Sequence, residues 1–174
     1  MLVAHSRDAA LFLYTDQESE EWRALAGERW RLQQGASLGE RMLRCFEEMS
    51  DAGRAPLLIL GSDSPALPPE WLESWTDRLE QAPGLLGPCE DGGYYAIGCQ
   101  APHPGMFEGV QWSSANTLAQ TEIALRRCGL APSCLPMYYD VDTPADLARL
   151  AAESRLPART RQWLRAHYES GPTV

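Results

Sequence analysis

At 174 residues, 44% hydrophobic and 22% charged, the chain has the size and composition of one globular domain able to bury a real core. Its formal charge of −9 argues against a nucleic-acid or anionic-lipid surface, but a metal could still bridge it to small phosphorylated ligands. All 15 basic residues are arginine, which excludes Schiff-base, P-loop and kinase chemistry built on lysine.

Residues 2–4 (Leu-Val-Ala) make a short strand only if they pair inside a sheet, and residues 8–14 and 20–26 read as short helices. Residues 30–33 alternate apolar and polar as a strand does. An amphipathic helix follows, with Leu38, Met42, Cys45, Phe46 and Met49 on one face, Ser37 as its cap and Glu40 completing a capping box. Residues 57–60 (LLIL) read as a strand buried on both faces, closed by the turn Gly61-Ser62-Asp63-Ser64-Pro65. A helix carrying Trp71, Leu72, Trp75 and Leu79 comes next, starting at Pro68-Pro69. Residues 84–88 form a buried strand. Asp91-Gly92-Gly93 then reverses the chain into the β-rich run 94–98. A helix over 116–127 ends at Gly129, a short strand covers 133–137, and Thr143-Pro144-Ala145-Asp146 opens a helix to about residue 152. A last helix covers about 158–168.

The alternation indicates a single α/β domain over residues 1–174 with a mostly parallel sheet. The strand and phosphate-gripping loop with which such sheets usually begin have no counterpart here, so the chain starts at what would be a second strand. The five cysteines are odd in number and contain no C-x-x-C pair, and the three histidines are widely spaced. Buried thiols in a reducing compartment therefore fit better than disulfides or a zinc site. No signal-peptide pattern is present, and no apolar run approaches the roughly 20 residues that span a bilayer. A cytoplasmic protein without a transmembrane segment is expected.

In open α/β sheets, ligands bind beyond the carboxyl ends of the strands. Asp63 stands at such an end, and the simplest chemistry for it is to hold a divalent metal against the phosphates of a nucleotide; the plainer reading is an aspartate bonding its own turn. Asp91 in EDGGYY and Asp140 with Asp142 in YDVDTP are placed to reach the same edge. A lysine-free, oxygen-rich site suits Mg²⁺ or Mn²⁺.

The strings QGASLGERM (34–42), LILGSDSPAL (58–67), LGPCEDGGYYAIG (86–98), FEGVQWSSANTLAQT (107–121) and DVDTPADL (140–147) closely resemble the selenodomain-associated transferase family. That family has the glycosyltransferase-A fold and is similar to nucleotide-diphospho-sugar transferases. The resemblance implies a three-layer α/β architecture and a metal held by Asp63 and Asp142. It places Gln34 and Gly39 against the nucleotide base, with Arg41, Ser62 and Asp63 also on the nucleotide side. Asp91 would orient or deprotonate an attacking hydroxyl, Gly92 and Gly93 would line the sugar or acceptor side, and Trp112 would stack on a sugar. The implied partner is a nucleotide sugar or nucleotide, and the implied activity glycosyl transfer. Sugar-phosphate nucleotidyl transfer and a non-catalytic binding remnant are the alternatives. Relative to the family the chain lacks the opening strand and its Lys-Thr-Arg loop. The empty sheet position would be filled by a second protomer in a homodimer, or by residues upstream of Met1.

Overall fold

A computed structural model describes residues 10–168, so the expected strand over residues 2–4 lies outside the described residues. The first regular element is β1 (Leu13–Thr15), where a helix over 8–14 was expected. The apolar and aromatic run Leu11-Phe12-Leu13-Tyr14 favours extended backbone, and alternation along it turns Tyr14 into the core while Leu13 and Thr15 stay partly exposed. Helix α1 (Glu20–Ala26) is capped by Ser19 and leads to β2 (Trp30–Leu32), which pairs in parallel with β1. These two strands form a sheet of their own.

Helix α2 (Leu38–Asp51) starts where the sequence sets it: Ser37 Oγ accepts the Glu40 amide at 3.2 Å. The Glu40 carboxylate reaches back one residue beyond the cap, to the Ala36 amide at 2.8 Å. Gly39, Met42, Cys45, Phe46 and Met49 are its buried face. The helix packs on both sheets, because its buried face shares one apolar cluster with Tyr14 of β1 and with Leu57 and Ile59 of β3 (Leu57–Leu60).

The second sheet has the order β3-β5-β4-β6, with β4 at Gly84–Pro88, β5 at Tyr94–Cys99 and β6 at Pro132–Cys134. It is mixed rather than mostly parallel. The Asp91-Gly92-Gly93 reversal brings β5 back beside β4, so β5 runs antiparallel to both β3 and β4, while β4 and β6 are parallel. Residues of β3 alternate between two clusters: Leu57 and Ile59 face α2, whereas Leu58 and Leu60 pack with Trp75 and Leu79 of α3 (Trp75–Gln81). That two-sided burial is why the strand is apolar at every position. The single helix expected after Pro68 divides into a 3₁₀ turn, Pro69–Trp71, and α3.

Helix α4 (Thr117–Arg127) is followed by Gly129 in the left-handed region at φ 75°. In α5 (Pro144–Ala151), Thr143 and Asp146 form a reciprocal capping box with proline in the first turn. Leu150 of α5 and Leu164 of α6 (Ala158–His167) bury a small satellite cluster around Ala66. Among the described residues no helix is long and apolar enough to cross a membrane.

Candidate active site

Three irregular segments meet at one end of the main sheet. The carboxyl end of β3 delivers residues 61–64, and the carboxyl end of β4 delivers residues 89–91. Residues 138–141 run between them. The Glu90 amide donates to the Tyr138 carbonyl at 2.9 Å, the Val141 amide donates to the Asp63 carbonyl at 2.8 Å, and Cys89 and Tyr138 form a parallel bridge. Outside this lacing, Arg149 of α5 holds Glu90 with two bonds of 2.7 and 3.0 Å and lies over the Tyr139 ring. The three loops are thus fixed to one another by main chain before any ligand arrives.

They border a cavity of about 410 Å³ whose wall includes Asp63, Asp91 and Asp140. Each of these carboxylates has its Oδ1 engaged. Asp63 accepts the Ser62 hydroxyl at 3.0 Å, Asp91 the Gly93 amide at 2.8 Å, and Asp140 the Ser64 hydroxyl at 2.8 Å and the Cys89 thiol at 3.1 Å. Among the described residues no hydrogen bond engages the second oxygen of any of the three. Ligand atoms of Cys89, Asp91 and Asp140 lie within 4.8 Å of one another. The electrostatics agree: the Asp142 carboxyl is pushed up by desolvation and then by the charges of Asp140, Asp63 and Asp91. Burial, the bond to Asp140 and the neighbouring carboxylates likewise push the Cys89 thiol up. Oxygen donors with free lone pairs in a negative field are a chemically fitting set for Mg²⁺ or Mn²⁺.

The lining also includes Gln33, Arg41, Trp112, Ser113, Ser114 and Thr117. Among the described residues Arg41 is the one arginine on the wall, and its Nε donates to the Gly35 carbonyl at 3.2 Å.

Of the residues singled out from sequence, Arg41, Ser62, Asp63, Asp91, Gly93 and Trp112 line this cavity. Gln34, Gly39, Gly92 and Asp142 do not. Strand alternation explains the glutamines. The β1–β2 pairing continues to Gln33, whose amide donates to the Thr15 carbonyl at 2.8 Å, and this leaves Gln33 on the wall and Gln34 exposed beside it. Gly39 sits under the Trp112 ring instead of against the cavity. Gly92 is in the left-handed region at φ 89°, and a Cβ there would run into the Ala115 carbonyl. Its own carbonyl accepts the Leu118 amide at 2.8 Å, which locks the acidic turn to the start of α4.

Cys89, Gln33 and Ser113 were not assigned to the site from sequence, whereas Asp140 was placed with Asp142 at this edge but given no role of its own. Asp140 shares a string with Asp142, and only the lacing to Asp63 separates their roles. Ser113 is the one non-glycine residue with positive φ among the described residues, at 55°, but no local sequence signal marks it. Such a conformation is held by its surroundings: the Ser114 hydroxyl donates to the Gln111 carbonyl at 3.1 Å, and the Thr117 hydroxyl lies 2.7 Å from the Ser114 carbonyl and 2.9 Å from the Gln111 carbonyl.

An α/β domain with an acid-rich cleft at the carboxyl ends of its strands is a frequent architecture for ligand binding. The family described as "Uncharacterized protein conserved in bacteria (DUF2064)" matches residues 2–114, and the chain belongs to that family. Among solved structures it is similar to a "putative nucleotide-diphospho-sugar transferase from Desulfovibrio desulfuricans G20", with a TM-score of 0.76 and 33% identity. The match covers 84% of this chain and 67% of that one. No curated protein matches the chain.

Proposed function

We propose that the cleft binds a nucleotide sugar and that the protein is a metal-assisted glycosyltransferase. One observation supports this most strongly. Asp63, Asp91 and Asp140, each with one oxygen held and one available, converge on a single cavity in a chain similar to the Desulfovibrio protein. A divalent cation, Mg²⁺ or Mn²⁺, bound by the free oxygens of Asp63 and Asp140 would neutralise the diphosphate of the donor.

The chain's own groups supply the rest. Arg41, tethered through Nε to Gly35, turns its remaining donors to phosphate or to an acidic acceptor. Trp112 offers a flat apolar wall to a sugar or base ring. Gln33 spends its side-chain amide on the Tyr14 carbonyl at 3.4 Å, which leaves its oxygen as an acceptor at the cavity. The free oxygen of Asp91 is placed to orient an acceptor hydroxyl and take its proton.

Incubation with radiolabelled nucleotide sugars and acceptors, and in parallel with nucleoside triphosphates and sugar phosphates, each with Mg²⁺ or Mn²⁺, tests the reading. Glycosylated acceptor plus nucleoside diphosphate supports it. Release of pyrophosphate would instead assign nucleotidyl transfer. A second reading, a binding domain without turnover, is favoured by the solitary arginine on a wall rich in carboxylates. It predicts metal-dependent nucleotide binding in calorimetry and no product from any donor.

A further inference from the structure

We infer that Cys89 and Ser64 are positioning residues for Asp140: both donate to its Oδ1, which leaves Oδ2 for a cation, and the thiol stays outside the coordination sphere. The inference rests on the metal-assisted reading above and specifies how that site is built.

By proximity alone, Cys89 would be a third ligand, since its sulfur lies within 4.8 Å of ligand oxygens from Asp91 and Asp140. A sulfur ligand would shift the preference of the site from hard Mg²⁺ and Mn²⁺ toward thiophilic metals. Three observations argue for the other role. Cys89 is 1% exposed and does not line the cavity, whereas Asp63, Asp91 and Asp140 do. Its sulfur is 3.1 Å from Asp140 Oδ1, the oxygen that Ser64 Oγ approaches at 2.8 Å from another loop. The contact is set by main chain, because the Cys89–Tyr138 bridge and the Glu90-to-Tyr138 amide bond hold the two segments side by side. Two donors from two loops on one oxygen, the hydroxyl lying closer to it than to the Tyr139 carbonyl at 3.1 Å, restrict the carboxylate's rotation about its last bond. That is the usual work of groups behind a metal ligand.

Loading the full chain with Co²⁺ and recording its near-ultraviolet spectrum tests the exclusion of sulfur. Binding without a sulfur-to-cobalt charge-transfer band is expected, and such a band would overturn the inference while leaving the metal reading intact. Mn²⁺ affinity, measured by calorimetry, tests the positioning. Cys89→Ala and Ser64→Ala are each expected to weaken Mn²⁺ binding by about 10–100-fold. Cys89→Ser, which keeps a donor, is expected to stay close to wild type. Circular dichroism checks that each variant is folded. Equal affinity for wild type, Cys89→Ala and Ser64→Ala would overturn the inference. A wild-type chain that binds neither Mn²⁺ nor Co²⁺ would overturn the metal reading along with it.

Discussion

Gly39, inside the first turn of α2, lies directly beneath the indole of Trp112: a Cβ on Gly39 would stand 2.8 Å from Cζ2 of the ring and 3.1 Å from the Phe107 Cβ. Trp112 in turn packs beside Phe107 with ring centroids 5.9 Å apart. The glycine therefore sets how closely the loop carrying Trp112 and Ser113 approaches the helix carrying Leu38, Arg41 and Met42, and with it the width of the cavity. Alanine is the better helix former by about 0.5–1 kcal/mol, whereas overpacking costs about 1–3 kcal/mol. Gly39→Ala is thus expected to lower stability slightly in chemical denaturation. It should also weaken nucleotide-sugar binding in calorimetry by more than the loss of stability alone explains. Unchanged affinity would mean that Trp112 does not shape the site.

Gly92 is constrained twice, by its φ of 89° and by the Ala115 carbonyl, so Gly92→Ala should be one of the more damaging changes outside the core. A non-glycine residue forced into such a conformation costs about 1–3 kcal/mol before the collision is counted. Urea unfolding should show a lower midpoint and a loss of unfolding free energy of that order. A midpoint within error of wild type would show that the acidic turn and the start of α4 are not locked together.

Removal of the cation should expose the roles of the carboxylates. With excess chelator, nucleotide binding is expected to fall steeply and to recover when Mn²⁺ is added back. Asp63→Ala and Asp140→Asn should both abolish that recovery, because each contributes an oxygen on the cavity wall. Asp142→Asn, off the wall, should reduce it far less. The reverse ranking of Asp140 and Asp142 in calorimetric titrations would restore the ligand set expected from sequence.

Asp142 also makes a prediction about pH. Desolvation, Asp140, Asp63 and Asp91 all raise its carboxyl above the ordinary aspartate range in the folded chain. A raised folded-state value means that the folded chain binds the proton more tightly than the unfolded chain. Its contribution is therefore most favourable in acid and is lost as pH rises through the raised value. At neutral pH, without metal, Asp142→Asn should melt slightly above wild type, and the difference should vanish below the normal aspartate range. The side chain is largely exposed, so solvent keeps the effect small. A variant that melts lower than wild type at neutral pH would contradict the repulsion.

Much of this architecture could be read from the residues, because its signals are local. The Ser37 and Thr143 caps, the apolar face from Met42 to Met49 and the four-residue buried strand are each set by chemistry within a few positions. The Asp91-Gly92-Gly93 reversal was equally legible, although its consequence, an antiparallel strand in the middle of the sheet, was not. β1 was missed because three residues are too few to show a period, and only pairing with β2 makes them a strand. In the site, Asp63 and Asp91 were accessible from turn chemistry. The choice of Asp140 over Asp142 depends on the lacing of residues 138–141 to Asp63, and that of Gln33 over Gln34 on one-residue alternation; both are set by partners far away in sequence. Trp112 was noticed as an aromatic, but its seat on Gly39 joins residues from separate strings and has no local trace.

The separation of β1 and β2 from the four-stranded sheet bears on how the molecule breathes. Two paired strands of three residues each, joined to the rest mainly through Tyr14 and the underside of α2, have few bonds of their own to resist transient opening. β5, by contrast, is flanked on both edges and almost wholly buried. In deuterium exchange, the amides of residues 13–15 and 30–33 should therefore label well before those of residues 95–99. Because Gln33 belongs to the early-labelling part and Asp140 does not, a ligand that bridges them should slow labelling of β1 and β2 while leaving β5 almost unchanged.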